Sequence, residues 1–216
     1  LTYSEGYDFR VCLDISLTAV LEARKRIDQH GLYVIADVAN LPFKIDVFDG
    51  LVSLHTLHHL PIEDQIKSYE EFFRVLAPEG SAVVVNGWTN STLMWMSMPL
   101  IVSMERIEGL IMKLLGRRHH NKSQEITETH LSSPSSEPKG TFVEKLNVRS
   151  LQYELSKKMN YKIFCWRSVS VRFLRAVIHS SLGGKYLLRL LFWMEEKLPG
   201  FFGEKGQYPL VVIWKS

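Results

Sequence analysis

Cysteine is scarce in this chain: Cys12 and Cys165 are the only two among 216 residues, and both lie in apolar runs far apart in sequence. That excludes a disulfide framework and any thiolate metal spacing, and it favours a reducing, cytoplasmic setting. Long apolar runs are also missing, since a spanning helix needs about 18–20 such residues. The best candidate, residues 93–104, is interrupted by Ser97, Pro99 and Ser103 and stops at Glu105. Membrane contact is therefore expected only at the surface. No Asn/Asp-Pro-Pro-Tyr/Phe segment marks amino methylation of a nucleic-acid base, so no nucleic-acid partner is indicated. The adjacent His58 and His59 diverge and have no third ligand nearby in the pattern, so no metal site is expected.

Charge of one sign is short in each part of the chain. Residues 1–88 hold 7 Lys and Arg against 13 Asp and Glu, while the remainder holds 19 against 10, so the net charge of +3 conceals an acidic start and a basic end. A basic second half could suit anionic partners, but ordinary solvated faces are the favoured reading.

The first ninety residues alternate short apolar runs with amphipathic ones. Arg10-Val11-Cys12-Leu13-Asp14 predicts a buried strand ending in an acid, and Ser16 can cap a helix carrying Leu17, Val20, Leu21 and Ile27. Leu32–Ala36 predicts a second strand, again followed by an acid, Asp37. Phe48–Leu54 predicts a third strand. Pro61 opens a helix through Leu76, Pro78-Glu79-Gly80 ends it, and Ser81–Asn86 predicts a fourth strand. This order implies a parallel sheet covered on both faces, with ligands bound beyond the carboxyl ends of the strands. The informative residues are then Asp14, Asp37, Leu54, His55, Asn86 and Gly87. An acid at the first strand end can accept both ribose hydroxyls, and one at the next can accept an adenine amino group.

Taken in order, Leu13-Asp14-Ile15-Ser16, Ala36-Asp37-Val38-Ala39-Asn40-Leu41-Pro42-Phe43, Val47–Ser53, Leu57-His58-His59-Leu60 and Phe73-Arg74-Val75-Leu76-Ala77-Pro78-Glu79-Gly80 resemble the motif series of class I S-adenosylmethionine-dependent methyltransferases. The last segment has Glu79 where the family commonly has glycine. The resemblance implies a doubly wound, Rossmann-like α/β sheet and S-adenosylmethionine as cofactor. Asp14, with Ile15 beside it, would hold the ribose. Asp37 would face the adenine, and Val38 would offer its backbone N–H to that ring. Leu54 and His55 would border the methionine part, while Leu41-Pro42-Phe43 shapes the loop beneath the adenine. Phe48 and Asp49 read as strand entry and turn. His55 and His58 are the candidate catalytic bases, because a neutral imidazole can take a proton from an attacking hydroxyl or amine; His59 sits where the family often has a structural histidine.

The family's first strand and glycine-rich loop have no counterpart in the opening Leu1–Asp8, which holds only Gly6. The start therefore reads as a truncation, and the expected fold is this sheet with its first strand missing. A chain so cut is expected to bind cofactor poorly and to be inactive or marginally folded. Residues 1–88 form the cofactor-binding half. Residues 89–145 are a helical insertion, with one or two helices over 92–115 and a mobile polar loop over 116–145. Residues 146–216 complete the sheet, with Asn147 capping a helix through Met159, strands at Tyr161–Trp166 and Tyr208–Trp214 forming an antiparallel pair, and a second helical insertion at 173–202. The two insertions, after the family's fifth and sixth strands, are expected to pack together as a cap. The function expected is methyl transfer to a small-molecule or lipid-like acceptor, by O- or C-methylation. A binding or scaffold protein without turnover is the second reading. A nicotinamide-dependent oxidoreductase is the third, disfavoured by the ordered motifs.

Overall fold

The computed structural model describes residues 6–27, 31–114, 142–179 and 183–216. Arg10–Asp14 forms β1 and Gly31–Ile35 forms β2. They pair in parallel with Asp14 opposite Ile35, and the Ala36 amide donates to the Asp14 carbonyl at 3.3 Å. Between them, α1 (Leu17–Arg26) begins on Ser16, whose hydroxyl accepts from the Ala19 amide at 3.4 Å. Its last turn carries Arg24, Lys25 and Arg26, where cations complement the helix dipole.

Phe48–Leu54 forms β3, and a 3-10 turn at Leu57–His59 leads to α2 (Ile62–Val75). β4 (Leu76–Val85) lies parallel to β3, with Leu54 opposite Val85. The buried face of α2, including Tyr69, Phe72 and Val75, packs toward β4, where Ala82, Val84 and Val85 are fully buried. Helix α3 spans Thr92–Leu114 and α4 spans Val148–Ser156, the latter capped by the Asn147 side chain accepting from the Arg149 amide. β5 is Asn160–Arg167. Helices α5 (Val171–Val177), α6 (Gly184–Lys197) and α7 (Pro199–Lys205) precede β6 (Tyr208–Trp214).

The strands form a pair, β1-β2, and a four-stranded sheet ordered β3-β4-β6-β5. β6 runs against β4, because Lys215 bonds with Glu79 and Gly80 while the Trp88 amide donates to the Gln207 carbonyl. It also runs against β5: the Gln207 amide donates to Ser168 just past one end of β5, and Asn160 at the other end bonds Ser216. The expected antiparallel pair is present, and the sheet is mixed. Among the described residues, β1 and β3 each have one strand partner.

The start of β4 differs most from the sequence reading. β4 begins at Leu76, directly after α2, and continues through Pro78-Glu79-Gly80. The segment bows out between the pairings Phe48 with Leu76 and Gly50 with Ser81. The Glu79 amide donates to the Lys215 carbonyl at 2.9 Å, and the Lys215 amide donates to the Gly80 carbonyl at 3.1 Å, so neighbouring chain supplies the ladder that a turn would lack. The Lys215 ammonium then donates to the Leu76 carbonyl at 3.1 Å and pairs with Asp46. It closes the carboxyl end of α2.

The chain divides into two units. One comprises Leu1–Asn86, Glu144–Lys162 and Val211–Ser216; the other comprises Gly87–Val143 and Ile163–Leu210. In the second unit, the Trp88 indole is 1% exposed and donates to the Gly203 carbonyl at 2.7 Å. Gly203 has no room for a side chain, because a Cβ there would run into the Phe164 carbonyl. Ile101 of α3 is buried with Val169, Phe173 and Ala176 around α5, and Met94, Met104 and Leu191 pack against that cluster. Arg172 grips Glu105 with two hydrogen bonds of 2.8 Å. The two insertions thus pack on each other. The segment 92–115 is one helix as far as Leu114, with Pro99 inside it, where the Trp95 carbonyl loses its donor four residues on. Residues 115–141, most of the stretch expected to be a mobile loop, lie outside the described residues. Among the described residues, no helix is long and apolar enough to cross a membrane.

Candidate active site

Asp14 and Asp37 leave one edge of the β1-β2 pair together, because the register sets Asp14 beside Ile35 and Asp37 follows two residues later. Each acid is partly engaged in its own turn. Asp14 Oδ1 accepts from the Ser16 amide at 2.8 Å, and Asp37 Oδ1 accepts from the Ala39 amide at 2.9 Å. Both carboxylates are thereby oriented, and no hydrogen bond to either Oδ2 is seen among the described residues. Ile15 is 75% exposed beside Asp14, an unusual state for an isoleucine at a strand end. Val38 is half-buried between Asp37 and the buried Ala39.

The loop after Asp37 is clamped from α2. Arg74 donates to the Phe43 carbonyl at 2.8 Å and to the Leu41 carbonyl at 3.0 Å. Glu71 holds Arg74 through both carboxylate oxygens, at 2.7 and 2.8 Å, and accepts from the Leu41 amide at 2.8 Å. Those bonds hold the Glu71 carboxyl below the usual carboxylate range, with the Arg74 hydrogen bond the largest cause. The Leu41-Pro42-Phe43 motif and the arginine of the Phe73–Gly80 segment therefore act as one part. Phe43 and Phe48 meet edge to face at 4.9 Å, so Phe48 has the structural role expected at strand entry. Glu79, standing where glycine is commoner, has φ of 64°, a left-handed conformation that glycine adopts without strain.

The histidines gather past β3. Leu54 is 39% exposed. His55 follows it with φ of 56°, its amide donating to the Val85 carbonyl at 2.8 Å. A non-glycine residue in this region marks a constrained turn. The His55 and His58 rings lie 6.1 Å apart and those of His58 and His59 4.2 Å apart. His58 is bound to Asn86, the residue after β4: its backbone amide and its Nδ1 lie 3.2 and 2.9 Å from Asn86 Oδ1. Burial lowers the His58 pKa; the Asn86 hydrogen bond opposes this, and His59, His55 and Lys145 add to it. Neutral imidazole is thus the resting form near pH 7.

The sequence reading did not find Gln65 and Glu144. Gln65 is fully buried on α2, and its Nε2 donates to the Leu60 and Glu144 carbonyls at 2.8 and 2.7 Å. The Glu144 amide donates to the His58 carbonyl at 2.8 Å, and its carboxylate accepts from the Ile62 amide at 3.2 Å. Gln65 had one signal, a polar residue on the apolar stripe of α2 with Ser68, Tyr69 and Phe72. Glu144, 79 positions from Gln65 along the chain, had none.

Residues 4–84 match the family described as "Methyltransferase domain". Comparison with curated proteins gave no match. A chain of the complex between the Haloferax volcanii Trm112 methyltransferase activator and a methyltransferase is similar at TM-score 0.54 and 13% identity, over 98% of this chain and 74% of that one. PKMT2 from Rickettsia typhi, solved in complex with AdoHcy, is similar at TM-score 0.51 and 14% identity, over 96% of this chain and 44% of that one. The PH0226 protein from Pyrococcus horikoshii OT3 aligns at 21% identity over 47% of this chain and 46% of that one, with TM-score 0.36. The chain thus spans less than half the length of the Pyrococcus and Rickettsia proteins. The Haloferax and Rickettsia likenesses carry the fold, a Rossmann-like α/β sheet.

Proposed function

We propose that residues 4–84, which match the family described as "Methyltransferase domain", form a class I S-adenosylmethionine-dependent methyltransferase domain, and that the protein transfers a methyl group to oxygen or carbon of a small-molecule or lipid-like acceptor. The observation that carries the reading is the placement of Asp14 and Asp37 at one strand edge, each locked by a local turn with an oxygen left over. Those residues fit an adenosyl group. Asp14 Oδ2 suits a ribose hydroxyl, Asp37 suits the adenine amino group with the Val38 amide beside it, and the exposed Ile15 and Leu54 give apolar surface to cover. The backbone of Leu54 and His55 borders the methionine portion in this assignment.

S-adenosylmethionine, when bound, supplies a methyl group already activated by its sulfonium. The chain's own task is then alignment of acceptor with donor, exclusion of water, and removal of one proton from the acceptor. His58 is assigned that proton, because burial keeps its imidazole neutral and Asn86 fixes its orientation. His55, on a constrained backbone with its ring 6.1 Å from that of His58, is the second candidate.

The lipid-like side of the acceptor class is supported by the second unit. Along α3, Trp95, Met96, Ile107 and Leu110 are exposed; along α6, Tyr186, Leu190, Phe192 and Trp193 are exposed. That unit carries 13 Lys and Arg against 8 Asp and Glu. Aromatic and aliphatic surface interspersed with cations such as Arg106 and Arg189 suits contact with an anionic membrane surface, from which an apolar acceptor is reached.

Calorimetric titration with S-adenosylhomocysteine tests the cofactor assignment. Binding is expected in a chain that also carries the family's glycine-rich strand and loop, and Asp14→Ala there is expected to weaken it by ~1.5–3 kcal/mol through loss of charge-assisted hydrogen bonds. Heat from NAD with none from S-adenosylhomocysteine, or an unchanged affinity in Asp14→Ala, overturns it.

A further inference from the structure

One oxygen of Asn86 meets two nitrogens of the same residue. The backbone nitrogen of His58 lies 3.2 Å from Asn86 Oδ1, and the ring nitrogen Nδ1 lies 2.9 Å from it. A backbone nitrogen only donates, so the Asn86 atom facing it is the carbonyl oxygen and not the amide nitrogen. A ring nitrogen at hydrogen-bond distance from that same oxygen must carry a proton. Nδ1 is therefore the protonated nitrogen of neutral His58, and Nε2 holds the lone pair.

Asn86 is itself held from behind. Its Nδ2 faces Gln65 Oε1 at 3.5 Å, and Gln65 cannot turn over, because its Nε2 lies 2.8 and 2.7 Å from the carbonyl oxygens of Leu60 and Glu144, neither of which can donate. Gln65 is 0% exposed and Asn86 is 3% exposed, so a reversed amide would put like dipoles together where water cannot relieve them. The same Gln65 ties down the segment whose Glu144 amide donates to the His58 carbonyl, which fixes the turn carrying the imidazole.

We propose that Asn86 and Gln65 are positioning residues that hold neutral His58 as its Nδ1–H tautomer, so that Nε2 is the nitrogen that takes the acceptor's proton. The use of that proton rests on the methyl-transfer reading; the tautomer is a property of the protein alone. A random choice of tautomer would leave the base pointing its N–H at the acceptor in part of the population, and the relay removes that loss.

The test is a two-dimensional correlation spectrum of the imidazole nitrogens in the whole chain without ligand, at a pH where His58 is neutral, with His58→Gln to assign its signals. The expected pattern is a protonated Nδ1 and a bare Nε2. An Nε2–H pattern, or an average of the two forms, overturns the proposal. Asn86→Asp keeps the acceptor oxygen and adds a negative charge, so the Nδ1–H pattern should persist while the His58 titration midpoint rises by about one pH unit or more; an unmoved midpoint overturns it. Gln65→Leu should release Asn86 and give a tautomer mixture. Should that variant fail to fold, the parent spectrum and Asn86→Asp decide. Turnover by His58→Gln is read separately: full activity beside an Nδ1–H spectrum removes His58 from the methyl-transfer reading and leaves the relay standing.

Discussion

His58 joins its charge state to the stability of the fold. An exposed histidine in the unfolded chain takes its proton near pH 6.5, whereas burial pushes the folded group lower, with Asn86 opposing and His59, His55 and Lys145 reinforcing the shift. Between the two values the unfolded chain binds more protons. Stability is therefore complete above the unfolded value and is lost as pH falls through the folded one. Melting temperatures from pH 7.5 down to 5 should fall more steeply in the parent than in His58→Gln; parallel curves would show that His58 is not held neutral. The cysteines point the same way about burial. Burial, with Glu195 nearby, pushes the Cys165 thiol up to about 12, and Cys12 is raised as well, so neither is a nucleophile at neutral pH.

Between α2 and the loop after β2, the clamp of Arg74 and Glu71 joins two motifs that are 31 positions apart in the chain. Arg74→Ala removes the bonds to the Phe43 and Leu41 carbonyls and leaves Glu71 without its partner. Part of that loss is screened, since the Arg74 side chain is 33% exposed, so a cost of about 1–2 kcal/mol is expected in chemical denaturation. Because Asp37 and Val38 lie just before this loop, S-adenosylhomocysteine affinity should fall too, and Arg74→Lys should recover little of either, lacking the planar fork. A normal affinity in Arg74→Ala would separate the loop from the cofactor. At this scale the sequence was largely readable. β1, β3 and β6 begin and end where their apolar runs do, and Ser16 and Asn147 cap the helices they precede. The start of β4 was not readable, because Pro78-Glu79-Gly80 carries turn chemistry and only Lys215, far along the chain, turns it into ladder. The positions of Asp14 and Asp37 at strand ends were legible for the same reason that strands are, while His58 lies in the 3-10 turn beyond β3. Gln65 and Glu144 gain their roles from contacts that no local pattern encodes.

For the whole molecule, the exposed apolar faces of α3 and α6 in the basic unit lead to a prediction about surfaces. The protein should sediment with phosphatidylcholine vesicles that contain phosphatidylglycerol and much less with phosphatidylcholine alone. Phe192→Ser with Trp193→Ser should lower the partition by about tenfold or more, given ~1.5–3 kcal/mol for each large apolar side chain fully buried. Equal recovery with both vesicle types, or none with either, would remove the membrane from the reading. The strand order has a different consequence, in the time domain. β1 and β3 each pair on one side among the described residues, and successive residues of a strand point their amides to opposite sides. Deuterium uptake along Val11–Asp14 and Leu51–Leu54 should therefore alternate, slow at amides bonded to β2 or β4 and fast at those between, while the paired centre of β4 exchanges slowly at every residue. The open side of each strand would show itself as a two-residue beat in the exchange rates.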